Sequence, residues 1–170
     1  EENRLISEME DMKRVGIGGF FIHARAGLQI GYFSDQWFEF IRFCAKYAYS
    51  IGLEVYLYDE NGWPSGTSDG AVPKKSRYFC QSRLEKCASE DLMPWDEIEA
   101  EYSANRKTFF FVRRYNRDYT DLLNEAAVRE FLDTTHEVYR KRLGDLFGRE
   151  ILGIFTDEPQ MSGMGYPFTD

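Results

Sequence analysis

Four short apolar runs, at residues 15–22, 53–58, 108–112 and 151–155, constrain this chain more than any other feature of it. Each is close to continuous rather than alternating, the pattern of a strand buried on both faces and typical of parallel sheets. Helical periods lie between them. Residues 3–14 place Leu5, Met9 and Met12 on one side. Ser34 is positioned to cap a helix whose apolar residues Trp37, Phe38, Ile41, Cys44, Ala45 and Ala48 follow the 3.6-residue period, with Gly52 as its stop. Asn124 is positioned to cap a long helix that turns Val128, Phe131, Leu132, Thr135, Val138, Tyr139 and Leu146 inward, and Gly148 ends it.

The resulting order, α-β-α-β, then an excursion, then β-α-β, predicts an α/β fold with a parallel sheet wrapped by helices. The excursion spans residues 67–106: a Gly/Pro/Ser-rich loop to Ser76, a strand near 78–84 and an acidic stretch at 90–101. A complete (β/α)₈ barrel takes about 250 residues. The 170 residues here are therefore expected to be a partial TIM-type barrel, about its first four strands. Residues 1–170 would form the N-terminal half of a catalytic barrel, with 67–106 as an irregular excursion between strands 2 and 3.

Composition narrows the partners. With 43% hydrophobic and 16% aromatic residues the chain has enough apolar material for a core. Its formal charge of -8, from 29 acidic against 21 basic residues, opposes phosphate backbones and anionic lipid, and its adjacent basic residues, Lys74-Lys75 and Arg113-Arg114 among them, form only short runs. Nucleic acid and membrane are thus not expected as partners. Cys44, Cys80 and Cys87 make neither an even disulfide framework nor a CxxC metal pattern, consistent with a reduced compartment or buried thiols. The compartment stays open, cytoplasmic or periplasmic in a bacterium.

In parallel α/β folds ligands sit at the carboxyl ends of the strands. That rule brings forward His23 and Arg25 after strand one, Asp59, Glu60, Asn61 and Trp63 after strand two, Arg113, Arg114 and Tyr115 after strand three, and Asp157 and Glu158 after strand four. Cleaving a glycosidic bond requires a carboxylic acid to protonate the leaving oxygen and a second carboxylate as base or nucleophile. Glu158 suits the acid: it follows a buried strand, precedes Pro159, and has Asp157 beside it, whose like charge favours keeping the proton. A plain turn or helix-capping pair is the alternative for Asp157-Glu158-Pro159. The segment Asp59-Glu60-Asn61-Gly62-Trp63-Pro64-Ser65-Gly66 gathers carboxylates, an amide and an indole, a mixture that binds sugar hydroxyls and covers a pyranose face; an ordinary turn around a buried Trp is its alternative. His23 is placed to hydrogen-bond a sugar hydroxyl or to serve structurally. His136 reads as a surface or packing residue, Phe109-Phe110-Phe111 as core, and Cys44 as packing. There is no Gly-x-Ser-x-Gly, and Gly16-x-Gly18-Gly19 precedes a strand instead of opening a helix, which argues against hydrolase-elbow and dinucleotide readings.

The segments Gly16-Ile17-Gly18-Gly19-Phe20-Phe21-Ile22-His23-Ala24-Arg25-Ala26-Gly27-Leu28, Tyr58-Asp59-Glu60-Asn61-Gly62-Trp63-Pro64-Ser65-Gly66 and Gly153-Ile154-Phe155-Thr156-Asp157-Glu158-Pro159 resemble glycoside hydrolase family 106, whose founding activity is α-L-rhamnosidase, and its relatives. Leu122-Leu123-Asn124-Glu125-Ala126-Ala127-Val128 adds to the likeness. The resemblance implies a larger multidomain enzyme with a (β/α) barrel, a calcium ion near the substrate and an inverting mechanism. By position it makes Glu158 the general acid and Asp59, Glu60 and His23 substrate or calcium contacts. The second catalytic carboxylate of such enzymes comes from a later strand, so the isolated 170-residue piece is expected to be inactive. It is also expected to self-associate through an unpaired sheet edge.

Three functional classes remain in view at this point. One is an exo-acting glycosidase on plant or host glycans. Another is a barrel that binds carbohydrate without cleaving it. The third is a calcium- or magnesium-dependent enzyme that uses Asp59, Glu60, Asp157 and Glu158 as hard oxygen ligands.

Overall fold

The helix and strand signals can be compared directly with a computed structural model, which describes residues 2–161 and 166–168. In chain order the elements are helix α1 (Glu2–Arg14), strand β1 (Gly19–Ala24), α2 (Asp35–Ser50), β2 (Glu54–Asn61), β3 (Cys80–Ala88), β4 (Glu97–Ala104), β5 (Lys107–Thr120), α3 (Glu125–Thr134), α4 (His136–Leu143), β6 (Gly153–Phe155) and β7 (Tyr166–Pro167). The fold is mixed α/β, with two small sheets, and among the described residues neither closes into a barrel. The chain divides into two units, Glu1–Ser65 with Thr135–Glu158, and Gly66–Thr134 with Pro159–Asp170. Among the described residues no helix is long and apolar enough to cross a membrane.

The first unit is built as the sequence predicts. Ser34 accepts the Trp37 N–H and caps α2. Strands β1, β2 and β6 form one sheet in the order β1-β2-β6, and both pairings are parallel. Gly19 is obligatory in this ladder, because a Cβ there would lie 2.4 Å from the Glu54 carbonyl oxygen of the neighbouring strand. Successive strand residues face opposite sides. Phe20, Ile22, Val55, Leu57 and Ile154 join the core with Phe38, Ile41 and Ala45 of α2 and Tyr139 and Leu143 of α4. At about 25 cal/mol per Å² of apolar surface removed from water, this shared face supplies the main force holding the unit together.

The opposite face corrects an expectation. Strands reading as buried on both sides are only partly covered on the second: Tyr58 is buried there, but Phe21 and Phe155 are 53% and 43% exposed, and their rings meet at 5.2 Å, with Tyr56 at the same distance from Phe21. An apolar run records that a face is apolar but not what covers it.

The second unit departs further. Thr108 to Val112 is not a parallel strand beside β2; it opens the 14-residue β5, which pairs antiparallel with both β3 and β4 in a sheet of order β4-β5-β3-β7. The parallel sheet therefore has three strands among the described residues, and residues 151–155 contribute the third, β6, paired directly with β2. The cause is local. Asn105 and Arg106 both take positive φ, 52° and 62°, closing a two-residue hairpin that forces β4 and β5 antiparallel. The stretch expected to be irregular is thus largely an ordered antiparallel sheet. Phe109, Phe110 and Phe111 are half-buried on that sheet and are not part of the α/β core, and the Lys86 ammonium lies over the Phe109 ring at 4.1 Å.

The long helix read from 124 onward is two helices. Asn124 caps the first, its Oδ1 accepting the N–H groups of Ala126 and Ala127. The break falls at Thr135, whose φ of -122° and ψ of -79° are not helical. Just before it the Thr134 hydroxyl donates to the Glu130 and Phe131 carbonyls, a back-bonding that competes with the helical ladder.

Candidate functional site

The parallel sheet of the first unit sends its three carboxyl ends to one rim, and the side chains there are laced together. Ser65 is the knot. Its hydroxyl donates to Asp59 Oδ1 at 2.7 Å and accepts the Asp157 backbone N–H at 2.8 Å, while its own N–H donates to the Asp157 carbonyl at 2.9 Å. One residue of the loop after β2 thereby fixes both the end of β2 and the segment leaving β6. Tyr58 adds a second tie, its hydroxyl reaching Asp157 Oδ2 at 3.4 Å.

His23, at the end of β1, stacks on Tyr58 with ring centroids 3.4 Å apart and planes 12° from parallel. Its Nε2 lies 2.7 Å from the Gly62 carbonyl oxygen. A carbonyl only accepts, so Nε2 carries the hydrogen and Nδ1 is the acceptor of the neutral ring. Burial holds this imidazole below the ordinary histidine value, although the Gly62 carbonyl pulls the other way. The Gly62 N–H in turn donates to the Ala24 carbonyl, and Ala24 pairs with Asn61, so the ends of β1 and β2 are joined by backbone as well.

Asp59 and Glu60 are both wholly buried. Burial pushes the Asp59 carboxyl above its usual range, opposed by the Ser65 hydroxyl, the Thr156 side chain and His136. Its Oδ2 is buried and makes no hydrogen bond. Tyr58 is pushed up to about 12, chiefly by burial, and so donates at any physiological pH.

Glu158 follows Asp157 with a φ of 45°, in the left-handed region that side chains other than glycine rarely adopt. It is exposed, unlike its neighbour Asp157, which is half-buried. A non-glycine residue in this region is strained by about 1–3 kcal/mol and persists where the surroundings dictate it, most often at functional sites. Here the surroundings are the three hydrogen bonds Ser65 makes and the tie from Tyr58.

Of the residues singled out in the sequence, His23, Asp59, Asn61 and Asp157 are joined to this rim by the contacts above, and Glu158 by the chain. Glu60 lies inside it. Arg25 is exposed just beyond β1, where its charge is felt by His23. Trp63 is 49% exposed on the loop after β2, not the buried indole of a plain turn. Arg113, Arg114 and Tyr115 are not at a strand end of the parallel sheet; they lie within β5, in the second unit.

Three contributors escaped sequence reasoning. Ser65 was legible only as turn chemistry, Tyr58 only as the end of an apolar run, and His136 only as a helix residue. His136 is half-buried at the first position of α4, its Nδ1 3.0 Å from the Thr135 hydroxyl; burial lowers its pKa and the Asp59 charge raises it.

Among the described residues no three His, Cys, Asp or Glu side chains converge on a point where a metal ion could sit. Comparisons with protein-family models, with curated proteins and with solved structures found no match.

Proposed function

We propose that this chain is part of a glycoside hydrolase with Glu158 as general acid, built on a partial (β/α) barrel whose remaining strands lie outside these residues. The observation that carries the reading is the strained backbone of Glu158, φ 45°, exposed and next to an Asp157 bonded by Ser65 and Tyr58. A proton donor aimed at a substrate needs a fixed origin, and the hydrogen bonds around Asp157 supply one.

The barrel reading is supported by three adjacent parallel strands, by helices packed on one face, and by an aromatic, partly exposed opposite face that would line the interior of a closed barrel. Glycans are supported as substrate by the sugar-binding mixture on the rim, with His23 Nδ1 and Asn61 for hydroxyls and Trp63 for a pyranose face. The resemblance to glycoside hydrolase family 106 favours an exo-acting, inverting α-L-rhamnosidase on plant or host glycans. The base that activates water would then come from a later strand, across a gap of about 6.5–9.5 Å.

The test is turnover of aryl glycosides by protein that includes the later strands. Glu158→Gln is expected to lower kcat by about 10²–10⁴-fold while leaving glycan binding intact. Normal turnover by that variant on every substrate the wild type cleaves would remove the assignment. Tight glycan binding with no product from either protein would favour a binding module instead.

A further inference from the structure

The second unit brings four arginines together around one cavity. Arg83, Arg113, Arg114 and Arg117 line one cavity of about 460 Å³ together with Trp95, Tyr115 and a single carboxylate, Asp96. The cavity lies where β4 begins: pairing with β5 starts at Glu97 opposite Arg113, so among the described residues the β5 edge beyond Arg113 has no partner strand on that side. A volume of this size suits a small ligand.

The arginines are not equivalent. Arg114 is saturated, donating to Asp96, Glu85 and the Asp91 carbonyl. Arg113 donates to Glu99 from its Nε at 2.6 Å. Arg83 uses only Nε, toward Glu85, and its two terminal nitrogens make no hydrogen bond among the described residues. The Arg117 guanidinium is exposed and makes neither a hydrogen bond nor an ion pair among the described residues. The paired arginines and their carboxylates hold the wall in shape, and two guanidinium groups keep donors to offer. Beside them Trp95 is 73% exposed, a large apolar face left in water. Tyr115 is committed to Glu97, its hydroxyl donating at 2.7 Å.

We propose that this cavity binds a carboxylate carried on a ring, with the anion on Arg117 and Arg83 and the ring face on Trp95; sugar acids are the ligand class. A guanidinium fork matches the two oxygens of a carboxylate, and an indole covers the apolar face of a pyranose. The proposal does not depend on the hydrolase reading, because all of its residues belong to the second unit.

The probe is glucuronate, titrated into the 170-residue chain while the indole N–H resonance of Trp95 and the Nε–H resonance of Arg117 are followed by NMR. Both are expected to shift saturably with glucuronate and not with glucose. Arg117→Ala and Trp95→Ala are each expected to weaken binding about tenfold or more, with amide spectra otherwise unchanged. Glu158→Gln should bind glucuronate as the wild type does, whatever it does to turnover. Absence of saturable shifts, equal shifts with glucose, or inorganic phosphate binding as tightly as glucuronate and surviving Trp95→Ala would each overturn the proposal.

Discussion

At the level of single residues, Ser65 has the most to lose by substitution. Ser65→Ala removes the donor to Asp59 Oδ1 and the acceptor for the Asp157 N–H, both at a buried site where Asp59 Oδ2 already lacks a partner. The expected cost is about 1–3 kcal/mol, read as a lower urea midpoint. His136 gives a pH test. Its folded value is held below 6.5 by burial, so the stability it contributes is complete above pH 6.5 and is lost as the pH falls from there through the folded value. His136→Gln is expected to flatten the loss of stability between pH 6.5 and more acidic conditions, measured by unfolding at a series of pH values; an unchanged slope would count against a buried, neutral imidazole. The sequence named His23, Asp59 and Asp157 from one rule about strand ends, but Ser65 and Tyr58 could not be ranked that way. Their importance lies in hydrogen bonds across 92 and 99 residues of chain, and local composition carries no trace of such distances.

Among the elements, helices were the most legible, because caps and periodicity act within a few residues. Ser34 and Asn124 both cap as expected. Asn124→Ala removes the bonds to the Ala126 and Ala127 N–H groups, and with them the Asn124 side-chain donor to the Tyr78 carbonyl. It is expected to destabilise the antiparallel unit by about 1 kcal/mol, seen as a lower Tm, while Asn124→Asp retains most of the cap. Strand partners were less legible. Residues 108–112 have the composition of a buried parallel strand, and only the Asn105-Arg106 turn, with both residues at positive φ, assigns them to a hairpin. Thr135 likewise ends a helical period that its apolar neighbours would continue.

For the molecule as a whole, the α/β character was readable from the order of runs, whereas the antiparallel sheet was not, since long-range strand pairing depends on which edges meet. In the first unit β1 and β6 are the outer strands among the described residues, and Phe21 and Phe155 stand exposed on the face opposite the core. Edges and apolar faces of this kind invite pairing. Sedimentation velocity is expected to show concentration-dependent self-association, reduced by Phe21→Ser with Phe155→Ser; a monodisperse monomer across the concentration range would contradict this. The central claim concerns one proton. A general acid matters most when the leaving group is poor, so the decisive measurement is kcat/KM of wild type and Glu158→Gln, in protein that includes the later strands, on a dinitrophenyl glycoside and on an alkyl glycoside of the same sugar. Near-normal cleavage of the dinitrophenyl substrate with loss of about 10²-fold or more on the alkyl one is the predicted result; equal losses on both would contradict Glu158 as the proton donor.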